Sequence, residues 1–137
     1  RIAGEYRFTA EDYIARRTFE DEIGRNAYYI DVHGCRKEET GGNNPHLKFE
    51  RYGKGESHGI PYRCLVPRDL DNVLASGRCI SSDRAANGSL RVMPVCLVTG
   101  QAAGTAAHLL AASGVPAREL DAGRLRNVLR ENGAWFL

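Results

Sequence analysis

Asp71-Asn72-Val73-Leu74-Ala75-Ser76-Gly77-Arg78, then Gly88-Ser89-Leu90-Arg91-Val92-Met93-Pro94, then Gly100-Gln101-Ala102-Ala103-Gly104-Thr105-Ala106-Ala107 follow one another in a chain of 137 residues. In that order they read as a strand, a glycine turn and a helix of small residues. Proline lacks an N–H and holds φ near the helical value, so Pro94 suits the first turn of a helix. Between Gly100 and Ala107 almost no bulky side chain follows. Such a helix can lie very close to another backbone or a ligand, and its open amino terminus favours negative charge. These are the properties of a cofactor cradle.

Working outward, the helix over 94–113 ends at Gly114, a natural left-handed cap, and Pro116 forbids continuation. Asp121 caps a last helix to about residue 132, with Leu125, Val128 and Leu129 on one face and Gly133 at its end. Trp135 and Phe136 are expected to pack the tail. Upstream, Thr9-Ala10-Glu11-Asp12 forms a capping-box pattern and opens a helix through about Arg17, with Tyr13 and Ile14 inward. Residues 27–33 are β-rich and predict a strand. Residues 34–59 are polar and glycine-rich, a loop with a ragged hairpin around Leu47, Phe49 and Tyr52. Pro61 and Pro67 keep 60–66 extended, and 71–75 form a strand leading into the Gly77 turn. The class expected is α/β, with α+β as the alternative.

Composition is that of an ordinary globular piece, 42% hydrophobic and 26% charged. A net charge of +2 with scattered arginines argues against nucleic acid and anionic membrane as partners. The one membrane candidate, 92–112, contains Thr99, Gln101, Thr105, His108 and two glycines, which favours a buried helix over a spanning one. Gly100 and Gly104, with Ala103, Ala107 and Ala111, suit close packing on a sheet or cofactor. Cys35, Cys64, Cys79 and Cys96 are separated by 28, 14 and 16 residues, which fits neither a zinc ribbon nor an iron–sulfur run. Cys64, Cys79 and Cys96 read as buried thiols, no metal site is expected, and an iron–sulfur or zinc electron carrier is disfavoured. His46 and His58 are expected on the surface, and His108 in the core.

The motifs NVLASGRCIS (72–81), GSLRVMP (88–94) and GQAAGTAA (100–107) together resemble the carboxy-terminal part of FAD-dependent oxidoreductases related to fumarate reductase and succinate dehydrogenase flavoproteins. Arg1-Ile2-Ala3-Gly4-Glu5-Tyr6, Tyr29-Ile30-Asp31-Val32-His33 and Ile60-Pro61-Tyr62-Arg63-Cys64-Leu65-Val66-Pro67 match further landmarks in the same order. The resemblance implies a Rossmann-like FAD-binding fold. Residues 1–66 would then end a substrate-facing region that includes the long loop 34–59, and 67–137 would supply the last strand and helices of the FAD domain. It implies flavin-mediated hydride transfer to or from a small organic substrate.

By the same resemblance Gly77 and Arg78 lie near the ribityl and phosphate part of FAD, and Gly88, Ser89, Arg91, Val92 and Met93 line the flavin. Backbone amides at 91–93 would face the pyrimidine edge, where they and the helix dipole stabilise reduced-flavin charge by about 0.5 to 2 kcal/mol. His33, Tyr62 and Arg63 are the candidates for handling the accompanying proton and the substrate. Each residue also has a plainer role open to it: Gly77 as a strand-end turn, Arg91 paired to a carboxylate or to solvent, His33, Tyr62 and Arg63 bonded to backbone. A non-enzymatic binding or structural module whose glycines serve packing alone is the alternative. The G-x-G-x-x-G pyrophosphate fingerprint is absent from the sequence, which opens on Arg1. The expectation is therefore a carboxy-terminal portion whose partner is the amino-terminal FAD-binding part of the same polypeptide. Alone it should lack stoichiometric FAD and self-associate. With no targeting segment in view, a cytoplasmic location is expected.

Overall fold

The computed structural model describes residues 1–32 and 50–136. The expected hairpin around Leu47 and Phe49, together with His33, Cys35 and His46, lies outside them. Two short strands, β1 (Glu22–Asn26) and β2 (His58–Pro61), pair antiparallel, with Gly24 opposite Ile60 and Asn26 opposite His58. A register irregularity between Glu22 and Gly24 bends β1. The long helix α3 (Met93–Ser113) crosses this pair, and α4 (Ala122–Glu131) packs against both α3 and β1. Gly24 makes that crossing possible, because a Cβ there would collide with Cγ1 of Val98.

The amino-terminal segment threads between two others. Ile2 N–H donates to Cys79 O at 2.9 Å, Glu5 N–H to Val66 O at 2.9 Å and Phe8 N–H to Ser81 O at 3.2 Å, with single bridges Gly4–Pro67 and Phe8–Ser82. Phe8, Tyr13, Ile23, Ile60, Leu65, Ile80, Leu90 and Leu125 form the centre of one continuous core. The whole is a mixed structure of helices and a small two-stranded sheet, consistent with an α/β class.

Helix caps behave as their chemistry requires. α1 (Ala10–Ile14) opens on the Thr9–Asp12 capping box, and α4 on Asp121, whose carboxylate accepts from Arg124 N–H. α3 stops at Gly114 with φ +71°, and Gly133, at φ +84°, follows α4. α1 is shorter than the expected run to Arg17. Arg16 turns left-handed (φ +49°), held by its guanidinium bonds to Ile14 O and Glu56.

Other elements differ from expectation. Residues 27–32 form no strand; β1 lies just before them, in the polar stretch EIGRN whose Glu22 and Asn26 are buried. Residues 71–75 form no strand either, since the backbone bond from Ala75 N–H to Leu65 O (2.8 Å) is not continued into a ladder. The extended stretch 60–66 ends at Pro61 and tightens into a 3-10 turn, Tyr62–Cys64. An unexpected helix, α2 (Arg84–Leu90), is capped by Asp83, which accepts from Ala86 N–H and also from Ala10 N–H at the start of α1.

Helix α3 is not the wholly buried helix its composition suggested. It is long and apolar enough to cross a membrane by length and composition. In the structure Val95, Thr99, Ala102, Ala106 and Leu109 are buried, while Met93, Leu97, Gly100, Gly104, Ala107 and Ala111 lie exposed on the opposite side. His108 is exposed, not in the core, because it belongs to the solvent side of this helix. Phe136 is buried under the guanidinium groups of Arg126 and Arg130, but Trp135 is 74% exposed.

Candidate functional site at the amino terminus of α3

Helix α3 begins with Val92 as its N-cap and Pro94 in its first turn, and no side chain caps it. Met93, the first helical residue, is 74% exposed. The positive end of the helix dipole is therefore presented outward at this point, although Pro94 contributes no N–H.

A second element is locked against that terminus. Gly77 opens the 3-10 turn Gly77–Cys79 at φ +69°, a conformation that an L side chain adopts only with strain. Its N–H donates to Thr99 Oγ1 (2.9 Å), and Thr99 Oγ1 in turn donates to Val95 O (2.7 Å). Arg78 Nε donates to Arg91 O (3.1 Å), just before α3 starts. Asn87 of α2 contacts Arg78 O through Nδ2 at 3.5 Å. Cys96 faces the site as well, its Sγ being 3.7 Å from where a Cβ on Gly77 would stand.

The structure thus brings Gly77, Arg78, Arg91, Val92 and Met93 to one place, the mouth of α3. Gly88 sits one layer behind. A Cβ there would stand 2.7 Å from Val32 Cγ2 and 2.9 Å from Asp31 O, so this glycine seats α2 against residues 31–32. Ser89 is fully buried; its hydroxyl donates to Tyr28 O (2.5 Å) and accepts from Asn26 Nδ2 (2.9 Å). Arg91 Nη2 donates to Asp31 O at 3.0 Å.

The catalytic candidates are not gathered in the same way. Tyr62 is buried, donates its hydroxyl proton to Ala117 O (2.9 Å), and burial pushes its pKa up to about 12. Arg63 is bound through Nε and Nη2 to the Asp21 carboxylate at 2.9 and 3.1 Å and lies over the Tyr6 ring. Both side chains tie the 3-10 turn to its neighbours. His33 lies outside the described residues.

Sequence reasoning missed Thr99 and Asn87. A lone β-branched hydroxyl in an alanine–glycine helix was the available signal for Thr99. It missed His58 more seriously: the expected surface residue is fully buried against Phe8, Tyr13 and Tyr52. The thiols divide. Cys64 is buried, and desolvation pushes its pKa up to about 12; Cys96 is partly covered; Cys79 is exposed, contrary to expectation, with Sγ against Ser76 O at the surface end of the turn. Among the described residues no group of three or more His, Cys, Asp or Glu side chains could hold a metal ion.

Neither the curated proteins nor the solved structures yield a match. The family model for FAD dependent oxidoreductases matches residues 1–129, nearly the full length of the chain. This chain belongs to the FAD dependent oxidoreductase family.

Proposed function

We propose that this chain supplies the flavin-edge portion of an FAD-dependent oxidoreductase similar to fumarate reductase flavoproteins, acting on a small organic substrate. The observation that carries the reading is the uncapped, outward-facing amino terminus of α3 with the Gly77–Cys79 turn fastened beside it. These residues fit a flavin. Positive-φ Gly77 lets backbone approach a ligand without a Cβ between them, and Arg78 and Arg91 add positive charge beside the helix terminus. When bound, FAD supplies hydride acceptance and donation at its ring system.

The chain's own residues do the positioning. Thr99 fixes the Gly77 amide, Arg78 is held on Arg91 O, and the amino-terminal end of α3 favours negative charge at whatever lies against it. The bare face of α3 has a matching role. Nothing lies within 4 Å of a Cβ placed on Gly100 or Gly104, so a neighbouring layer can approach to backbone distance. A helix apolar on two opposite sides is built to lie between two layers. We assign the second layer, and the pyrophosphate-binding glycines that the sequence lacks, to another part of the same polypeptide.

The test is spectroscopic. The chain by itself should purify colourless, and joined to its dinucleotide-binding part it should carry flavin that a reductant bleaches. A stable yellow species formed by the chain alone would contradict this division of the site.

A further inference from the structure

We propose that Thr99 is the positioning residue of this site: its hydroxyl, buried inside α3, sets how tightly flavin is held by fixing the Gly77 peptide from below. The proposal rests on the flavin reading for its ligand; the latch itself stands on its own hydrogen bonds. Thr99 is fully buried, and its Oγ1 accepts from Gly77 N–H at 2.9 Å while donating to Val95 O at 2.7 Å. The helical repeat already gives Val95 O the Thr99 N–H. That carbonyl therefore keeps a partner without the hydroxyl, whereas the Gly77 amide has no second acceptor among the described residues.

The turn does little to hold itself. Its internal bond, from Ile80 N–H to Gly77 O, is 3.5 Å long, at the limit for a hydrogen bond. Its far end is tied elsewhere, Cys79 O accepting from Ile2 N–H at 2.9 Å and Arg78 Nε donating to Arg91 O at 3.1 Å. The near end, where Gly77 takes φ +69°, is fastened by Thr99. A trans peptide carries its N–H and C=O on opposite edges. Drawing Gly77 N–H inward thus turns Ser76 O away from Thr99, and there it accepts from the weakly donating Cys79 thiol at 3.0 Å. One buried hydroxyl sets the tilt of the peptide plane beside the α3 terminus. Without it the glycine, free to take either sign of φ, releases the near end of the turn.

The experiment separates the hydroxyl from the volume it occupies. Thr99→Val keeps the branched shape and loses the hydroxyl; Thr99→Ser keeps the hydroxyl and loses a buried methyl group. In the chain, amide hydrogen exchange followed by NMR should find Gly77 protected in the wild type and in Thr99→Ser. In Thr99→Val it should exchange about tenfold faster, as one unmet N–H requires, with Ala75 N–H, bonded to Leu65 O, unchanged. In the polypeptide that we propose joins this chain to a dinucleotide-binding part, flavin should bind about tenfold more weakly to Thr99→Val and regain its affinity in Thr99→Ser. A purely structural Thr99 makes affinity follow thermal stability, or makes Gly77 and Ala75 exchange faster together; either result overturns the proposal. So does a wild-type Gly77 amide that exchanges like a free peptide, a measurement that needs no variant to fold. If Gly77→Val loses flavin while Thr99→Val keeps it, the proposal fails and the flavin reading stands. If both keep it although Gly77 is released in Thr99→Val, the flavin reading fails and only the latch remains.

Discussion

At the scale of single residues, His58 is the most informative. The Tyr52 hydroxyl has one proton and lies 2.5 Å from Tyr13 O and 2.8 Å from His58 Nδ1. It donates to the carbonyl, so His58 must donate Nδ1–H to Tyr52, and Nε2 is left buried with no partner among the described residues. Burial, then the Arg25 charge, lowers the His58 pKa to about 3. A histidine held neutral in the folded state binds fewer protons than the unfolded chain below its ordinary pKa. Stability is then full above about pH 6.5 and falls as pH drops toward 3. The loss should reach about 3 kcal/mol by pH 4. Denaturant titrations from pH 7 to 4 should show that His58→Phe has a shallower pH dependence by close to one proton; equal slopes would mean that His58 titrates in the native state. The thiols give a second expectation. A maleimide reagent should label exposed Cys79 in the folded chain and leave Cys64 untouched until it unfolds, because the thiolate is the reactive form and desolvation suppresses it at Cys64. The histidine was illegible in the sequence because glycines and charges surround it at 53–59, while its burial comes from Phe8 and Tyr13, some fifty residues away along the chain.

At the scale of elements, what could be read was what local chemistry decides. Thr9, Gly114, Asp121 and Gly133 announced helix ends, and the ends are where they stand. β1 was hidden because its stretch is polar: Glu22 and Arg25 are buried as an ion pair at 2.8 Å, which no alternation pattern reveals. α2 was hidden because residues 81–87 carry no large apolar side chain to mark a helical face, although Asp83 caps α2 and also receives the first amide of α1. Asp83→Ala should therefore cost more than a single cap, about 2 kcal/mol, with thermal unfolding as the measurement; a loss near zero would mean water replaces both bonds. Glycine substitutions separate the two faces of α3. Gly24→Val drives a side chain into Val98 and should destabilise by about 1 to 3 kcal/mol. Gly104→Val meets open space and should change the stability of the chain by less than about 0.5 kcal/mol. The sequence had suggested that Gly104 is pressed against the sheet; the buried face is instead that of Val95, Thr99 and Ala102.

At the scale of the whole molecule, α3 has one buried and one bare face. One face closes the core over β1, and the other presents Met93 and Leu97, each 74% exposed, in line with Gly100, Gly104, Ala107 and Ala111. We propose that the isolated chain self-associates through this face. Sedimentation should find a dimer or larger that Leu97→Asp dissolves, whereas a monomer at high concentration would show that the face needs no cover. The flavin edge itself is tested most directly by comparing two glycines with the same backbone demand. Gly77 and Gly114 have φ +69° and +71°, at opposite ends of α3. Valine at either should cost about 1 to 2 kcal/mol of strain, yet only Gly77 stands where the flavin is placed. In the polypeptide that we propose joins this chain to a dinucleotide-binding part, flavin occupancy after gel filtration should fall sharply for Gly77→Val and stay near wild type for Gly114→Val. Full occupancy in Gly77→Val, or equal loss in both, would show that Gly77 is only a turn residue and that the mouth of α3 does not hold the flavin.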